Sequence, residues 1–461
     1  MKYMTAEPFR IKMVEPIKKT TKAYRQECLK NAQYNVFRLH AEDVYVDCIT
    51  DSGTSAMSQN QWSAMFLGDE SYAGCKSFYK LEEAAQKVFG MPFVQPTHQG
   101  RAADYIMTQL YARKGMYAIG NMHFDTFRGN AEVLGCIPLD YCIQEGQTAN
   151  QDYHPFKGNI DIARTEKLLK EESGKVCCII ITITCNNNGG QPVSMENIRQ
   201  VSALAKKYNI PLIMDSARLA ENAYFIKTRE PGYENKSILE ITREMFSYAE
   251  TATMSSKKDG LVNIGGLFVT RNKDIYLQAN QLAIVHEGFI TYGGMSGRDM
   301  EALAVGLIEA TDFEYLDYRI KQVQYLGERL KEKGIPIIEP SGGHGIYVDG
   351  KKFFPQIPQH EFPSQRLVVA LYEEAGVRAV EIGACAFGTK DPVTGENIWP
   401  TIETMRICVS RRVYTNRHLD VIVEALGDIY QNRDQYKGLR MIYEGPIISL
   451  RHFTAGFELI Q

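Results

Sequence analysis

No apolar run in this 461-residue chain approaches the roughly 20 residues that a membrane-spanning helix needs. The longest candidate, Val176 to Ile183, is the size of one buried strand. The amino terminus, MKYMTAEPFRIK, lacks the apolar core of a secretion signal. An excess of one charge is also missing: 52 basic residues stand against 55 acidic ones for a net charge of -3, with no basic block. Neither a nucleic-acid surface nor an anionic membrane is an expected partner. The ten cysteines are scattered, with no CxxC pair and no histidine cluster, so zinc and iron frameworks are not expected. Cys177 and Cys178 stand side by side in an apolar run and read as reduced thiols, which suits a cytoplasmic protein. Tandem repeats and low-complexity tracts are absent.

What is present is an ordinary globular composition, 44% hydrophobic and 10% aromatic, over a length that suits two domains. Residues 1–20 mix charge and proline and read as an arm. Residues 21–58 carry a helix, a short strand in VYVDCIT and the connector TDSGTSAMS. Residues 59–310 alternate strands and helices as a doubly wound α/β sheet requires. Its expected strands are FVQP, MYAIG, CIPLDY, VCCIIITIT, PLIMDS, TATMSS and GGLFVT. In the helix expected near Met195, residues Ile198, Val201, Leu204 and Ala205 share one face. From 311 to 461 an amphipathic linking helix leads into a smaller α/β domain, with strands expected at IPIIEP, GIYVDG, VRAVEI and TMRICVS. The segment from Met295 to Gly334 is long and amphipathic, with Ile320, Val323, Leu326 and Leu330 at helical spacing.

Four short stretches carry chemistry. TATMSSKKD, Thr251 to Asp259, is strand followed by turn and ends in two adjacent lysines. A lysine at such an exit can form a Schiff base once its amine is freed of its proton, although most Ser-Ser-Lys-Lys turns are plain solvated loops. PLIMDSAR, Pro211 to Arg218, ends an apolar strand in Asp215, the place where α/β folds present side chains to ligands. A carboxylate there can keep the ring nitrogen of pyridoxal 5'-phosphate (PLP) protonated, or it can simply cap a helix starting at Ser216. HQGRAADYIMTQL puts Gln99, Gly100 and Arg101 at a helix start, a natural phosphate cradle. Ser255 can add a hydroxyl to the same phosphate.

TDSGTSAMS, PTHQGR, DSARLAENAYFIK and MSSKKDGLVNIGG occur in that order, and together they resemble the aromatic amino acid β-eliminating lyases. That family comprises indole-lyases and phenol-lyases. The likeness runs from EPFRIK to RHFTA, essentially the whole chain. It implies PLP-dependent fold type I, the aspartate aminotransferase-like α/β architecture, with a mostly parallel seven-stranded sheet in the large domain. It also implies a homotetramer with active sites at a dimer interface.

Carried over position by position, the resemblance puts the Schiff-base lysine at Lys258, the second of the pair, with Lys257 tuning its surroundings. Sequence alone does not separate the two. Asp215 pairs with the ring nitrogen; Gln99, Gly100, Arg101 and Ser255 serve the phosphate; Phe124 also belongs to the cofactor site. Asn186 and Arg218 match residues at the phenolic oxygen of PLP, and Tyr292 one that reaches the phosphate region of a neighbouring subunit. Arg406 matches the arginine that takes the substrate carboxylate through two parallel hydrogen bonds. Thr50, Ser52, Asn186, Ile382 and Phe453 fall among substrate-binding positions. Tyr72 matches the acid near the leaving group. Potassium or ammonium is implied as activator, with Gly53, Glu70 and Asn263 as ligands.

Three positions speak to the leaving group. Asp125 stands where the indole-lyases carry aspartate and the phenol-lyases threonine, and a carboxylate can accept an indole N–H. Ile382 replaces the arginine with which the phenol-lyases bind the phenol oxygen. His452 is the indole-lyase version of a site that is phenylalanine in the phenol-lyases. The expectation is β-elimination of L-tryptophan with water to indole, pyruvate and ammonium. L-tyrosine giving phenol, and cysteine or S-alkyl-cysteine elimination, are the alternatives; GGMSGRDMEAL and LVNIGG read more like the phenol-lyases.

Overall fold

The apolar runs of the central chain pair into one sheet. In the computed structural model, which describes residues 6–391, 394–446 and 448–460, its strands are β1 (Phe93–Thr97), β2 (Tyr117–Gly120), β3 (Ile137–Asp140), β4 (Val176–Thr182), β5 (Leu212–Asp215), β6 (Thr251–Ser255) and β7 (Gly266–Thr270). The order across the sheet is β1-β7-β6-β5-β4-β2-β3. Only β7 runs antiparallel to its neighbours, and the other four pairings are parallel. Parallel strands lie under helices on both faces, which is why β4 reads VCCIIIT and is buried at every residue but Cys177.

The helices that bear on function are α1 (Gly100–Tyr111), α2 (Asp125–Val133), α3 (Met195–Tyr208), α4 (Leu219–Arg229) and α5 (Gly297–Glu309). Helix α3 shows how local sequence sets the boundaries. The Ser194 side chain accepts from the Asn197 amide at its start, and Asn209 ends it in the left-handed region at φ 54°. Its apolar face, with Ile198, Val201, Leu204 and Ala205, is buried as the spacing predicts.

The chain divides into two compact units. The large unit takes in Ser52–Gly146 and Pro155–Ile320; the small unit takes in Phe9–Asp51, Gln147–His154 and the chain from Lys321 onward. In the small unit, β8 (Gly345–Asp349), β9 (Val380–Ile382) and β10 (Thr404–Cys408) form an antiparallel sheet in the order β9-β10-β8. Helices Pro363–Ala375 and Asn416–Gln431 bury their apolar faces in the small unit's core.

Several expected elements change on folding. IPIIEP forms no strand, only an isolated bridge between Ile337 and Val348, because Pro336 and Pro340 remove backbone donors. VRAVEI splits: Val377–Arg378 pairs in parallel with Val46–Asp47, and β9 pairs with β10. The amphipathic segment after Gly294 contains α5 and, from Phe313 to Glu332, the linking helix. Residues 6–20 form neither helix nor strand and are largely exposed, and residues 1–5 of the expected arm lie outside the described ones. Among the described residues no helix is long and apolar enough to cross a membrane.

Candidate active site

Because β7 is antiparallel to both β1 and β6, the carboxyl ends of β1, β2, β4, β5 and β6 lie on one edge of the sheet. The large unit's expected cofactor residues follow those ends. This is the crevice side of an open α/β sheet.

At the end of β6 the turn delivers Lys258, whose Nζ donates to Ser255 Oγ at 2.8 Å. The next residue, Asp259, locks the turn. Its amide donates to the Ala217 carbonyl at 3.2 Å, and its carboxylate accepts from the Ala220 and Glu221 amides at 2.8 and 3.2 Å. Asp259, not Asp215, therefore satisfies the start of α4, and the turn after β6 is tied to the turn after β5. Lys257 takes a different path. Its carbonyl accepts from the Gly53 amide at 2.8 Å, and burial together with the Arg101 charge lowers its amine's pKa. Gly53 has φ 75°, and a side chain there would press on the Lys257 chain.

Asp215 ends β5, and its carboxyl takes a hydrogen bond from the Ala217 backbone. Burial, and then the neighbouring Asp104 charge, push its pKa up to about 7, against the pull of Lys258 and Arg218. Asp104 lies one turn into α1. Its carboxylate accepts from Thr126 Oγ1 at 2.6 Å and Thr253 Oγ1 at 3.1 Å, and burial raises its pKa as well. Two buried acids beside one another resist losing both protons, so the pair is poised to receive a cation.

The cradle forms where β1 runs into α1. Gln99 sits at the N-cap, bridged to Gly265, and its side chain makes no cap hydrogen bond. Gly100 packs so closely on Ser255 that any Cβ would overlap the serine side chain. Free helix-start amides, the Ser255 hydroxyl and the Arg101 cation, which is exposed, surround this approach.

After β2, the segment to α2 contains His123, Phe124 and Asp125. His123 is buried, and its Nε2 lies 3.0 Å from the Ala118 carbonyl; burial drives its pKa down to about 4. Phe124 is half-buried at the N-cap of α2, and Asp125 is exposed at its first residue. After β4 come the buried residues Asn186, Asn187 and Asn188. Asn187 Nδ2 donates to the His123 carbonyl at 2.8 Å and to Asp125 Oδ1 at 3.4 Å. Arg218, also buried, is close enough to lower the Asp215 pKa.

Tyr72 and Tyr292 meet: their rings lie 5.4 Å apart, edge to face, and Tyr72 stacks on Phe289 at 5.5 Å. Tyr72 remains 68% exposed. Of the expected cation ligands, Asn263 Nδ2 donates to the Gly53 carbonyl at 2.9 Å. Glu70 accepts from the Gly297 and Arg298 amides, at 2.7 and 3.2 Å, at the start of α5. Ser52 is half-buried in the same unit.

In the small unit Arg406 lies mid-strand in β10, opposite Val380 on one side and Tyr347 on the other. Its Nη2 donates to the Ile49 carbonyl at 3.2 Å, next to the half-buried Thr50. His452 is close enough that Arg406 and Arg451 add to burial in lowering its pKa to about 4, so the ring is neutral at pH 7. Phe453 and Phe37 pack at 4.9 Å beside it. Ile382 is buried at the end of β9 opposite Thr404. Arg411 and Asp51 form a fully buried ion pair, Arg411 Nη1 to Asp51 Oδ2 at 2.9 Å.

With the site's geometry in view, the whole-chain comparisons decide its kinship. Residues 47–425 match the β-eliminating lyase family. The chain belongs to the β-eliminating lyase family. It is 51% identical to a probable β-eliminating lyase of Trichomonas vaginalis over 457 residues, covering 99% of each chain. Identity is 48% to the tyrosine phenol-lyase of Symbiobacterium thermophilum, covering 99% of each, and 47% to the tryptophanase of Hyphomonas neptunium, covering 98% of each. Among solved structures the fold resembles Leishmania major threonine aldolase, at TM-score 0.58 and 16% identity over 84% of this chain and 99% of that one. The architecture is PLP fold type I.

The donor set of this lyase fits PLP. A phosphate suits the Gln99–Arg101 helix start that no side chain could share at Gly100, an aldehyde suits the Lys258 amine, and a basic ring nitrogen suits the Asp215–Asp104 pair. Asp104, Asn187 and Asp259 were not among the residues expected from sequence. Asp104 had a faint signal, an acid among Ala103, Ile106 and Met107 on the buried face of α1. Asn187 and Asp259 had none, since their partners lie 62 and 39 residues away.

Proposed function

We propose that this lyase eliminates indole from L-tryptophan, with water giving indole, pyruvate and ammonium. What supports the choice is the residue found at two positions where the indole-lyases and phenol-lyases differ. Asp125 offers an exposed carboxylate at the start of α2, able to accept an N–H, whereas position 382 is a buried isoleucine with no cation for a phenolate. A carboxylate beside a phenol oxygen would repel its developing charge.

PLP, when bound, withdraws electrons from the substrate's α-carbon and so acidifies its proton. In this reading Lys258 would hold the cofactor and its amine would take that proton, with the Ser255 hydroxyl accepting from the free amine. Asp215 keeps the ring nitrogen charged; Asn186 and Arg218 serve the phenolic oxygen; Gln99, Gly100, Arg101 and Ser255 hold the phosphate; Phe124 packs against the ring. Arg406 takes the substrate carboxylate, with the neutral His452 beside it. Thr50, Ser52 and Phe453 complete substrate binding. Tyr72 donates the proton that turns the ring carbon into a leaving group.

Tyr292 serves a neighbouring copy in a homotetramer, and Gly53, Glu70 and Asn263 hold an activating potassium or ammonium ion. The absence of disulfides among the ten cysteines suits a cytoplasmic setting. A second reading, tyrosine phenol-lyase, draws support from the 48% identity to that enzyme of Symbiobacterium thermophilum. The deciding experiment offers L-tryptophan and L-tyrosine separately to purified protein with PLP and potassium and assays indole, phenol and pyruvate. Indole with equal pyruvate is expected. Phenol from tyrosine without indole from tryptophan overturns the substrate and keeps the reaction.

A further inference from the structure

The turn between β1 and α1 is held from outside by one acid. Glu287 follows the helix Lys273–His286 and turns its carboxylate toward His98, the residue immediately before Gln99. One oxygen, Oε2, accepts from the His98 backbone amide at 2.8 Å and lies 2.5 Å from His98 Nδ1. With that oxygen already accepting an N–H, the ring carries its hydrogen on Nδ1. The Glu287 side chain is only 5% exposed, whereas that of His98 is 41% exposed. The acid is therefore the fixed partner.

The other anchors of this turn are close at hand in the sheet and in α1. The His98 carbonyl accepts from the Gly265 amide at 2.8 Å, and the Gln99 carbonyl accepts from Thr97 Oγ1 at 3.0 Å and from the Ala102 amide at 3.1 Å. Glu287 adds a hold from a separate helix, 189 residues along the chain. Helix-start amides bind a phosphate only when they converge on it, so the peptide leading into Gln99 governs where the donors of Gly100 and Arg101 point. A hydrogen bond from a backbone amide to a buried carboxylate is among the stronger single contacts, and it orders the turn during folding rather than during binding.

We propose that Glu287 is a positioning residue for the cofactor phosphate, holding the Gln99–Arg101 turn in its phosphate-binding shape through the amide and ring of His98. The role rests on the reading of that turn as the phosphate cradle. Glu287 acts through His98 and not by contact with the cofactor, and its charge is directed to two N–H donors.

The test compares PLP with pyridoxal, which has the same ring and aldehyde but no phosphate. Each is titrated into the cofactor-free, full-length protein while the absorbance of the lysine-bound aldehyde is followed. Glu287→Ala is expected to weaken PLP binding about 10-fold and pyridoxal binding less than about 2-fold. Because one oxygen takes both donors, Glu287→Gln can present its amide oxygen in the same place, and it should return PLP affinity to within about 3-fold of the parent. His98→Ala keeps the backbone bond and should cost less than Glu287→Ala. Arg101→Ala and Ser255→Ala report on the cradle itself. If either of these is selective against PLP while Glu287→Ala weakens PLP and pyridoxal equally, or while Glu287→Gln weakens PLP as much as Glu287→Ala, the inference is overturned and the cradle stands. If neither cradle variant separates PLP from pyridoxal, the reading of the cradle falls and takes the inference with it.

Discussion

In the large unit the charged groups gather at strand ends, where Lys258, Asp215 and Asp104 share a buried neighbourhood and perturb one another. In the small unit Arg406 stands in the middle of β10, between two neighbouring strands, and its charge helps to lower the pKa of His452. The difference teaches what each kind of sheet is good for. A parallel sheet points several strand ends, each with a loop and a helix start, toward one place, and so concentrates opposed charges. An antiparallel sheet holds a single long side chain straight, with ladder partners on both sides, which suits one rigid two-pronged contact.

The largest test of that contrast is Lys258→Ala. Turnover should fall by a factor on the order of 10³ or more, and the absorbance of the lysine-bound cofactor should vanish. Normal turnover would mean that the large unit's charge cluster is not the reactive centre. Asp215→Asn should split function from stability. A carboxyl whose folded pKa is raised costs the fold stability as pH climbs from its ordinary range through about 7. The cofactor-free variant should therefore melt higher than the parent at pH 8, while loaded turnover drops about 100-fold. A lower melting temperature would show that Asp215 is satisfied within the protein.

Arg406→Gln tests the small unit's single prong. Its effect should fall mainly on KM, with kcat/KM for amino acid substrates down about 10–100-fold and cofactor affinity unchanged. Loss of cofactor binding in this variant would erase the division of labour. The smallest effect compares His123 with His452, one in each unit, both held near pKa 4 chiefly by burial. A histidine whose folded pKa lies below its ordinary value near 6.5 withdraws stability as pH falls through that interval. Going from pH 7 to pH 5, His123 alone should cost about 2 kcal/mol. His123→Gln should flatten the acid side of a urea-unfolding series by that amount. His452→Gln should flatten it by a similar amount, because its folded pKa is lowered to about the same value.

Much of this was legible in the residues because it is local. The seven large-unit strands announce themselves as short apolar runs, and the four motifs keep their chemistry within a few residues. Lys258 and Ser255 are three apart and meet through one turn. The misreadings are also local in cause. IPIIEP has strand composition, but its prolines break the ladder, and Asp215 looks like a helix cap although Asp259 performs that task from 39 residues on. What stayed hidden depends on distance along the chain. Asp104 reaches Thr253, 149 residues away, and Asn187 reaches Asp125, 62 residues away, and no spacing rule relates them.

The sequence by itself determined the fold class, the family and the set of reactive residue types, because periodicity, turn chemistry and long motifs are written in neighbouring residues. Only the tertiary structure decided which lysine donates to Ser255 and which lies against Gly53, why Gly100 admits no side chain, and that Asp215 shares its surroundings with a second acid. Those outcomes depend on which strand ends the sheet order places side by side, and on the loss of water there, which turns ordinary charges into strongly interacting ones.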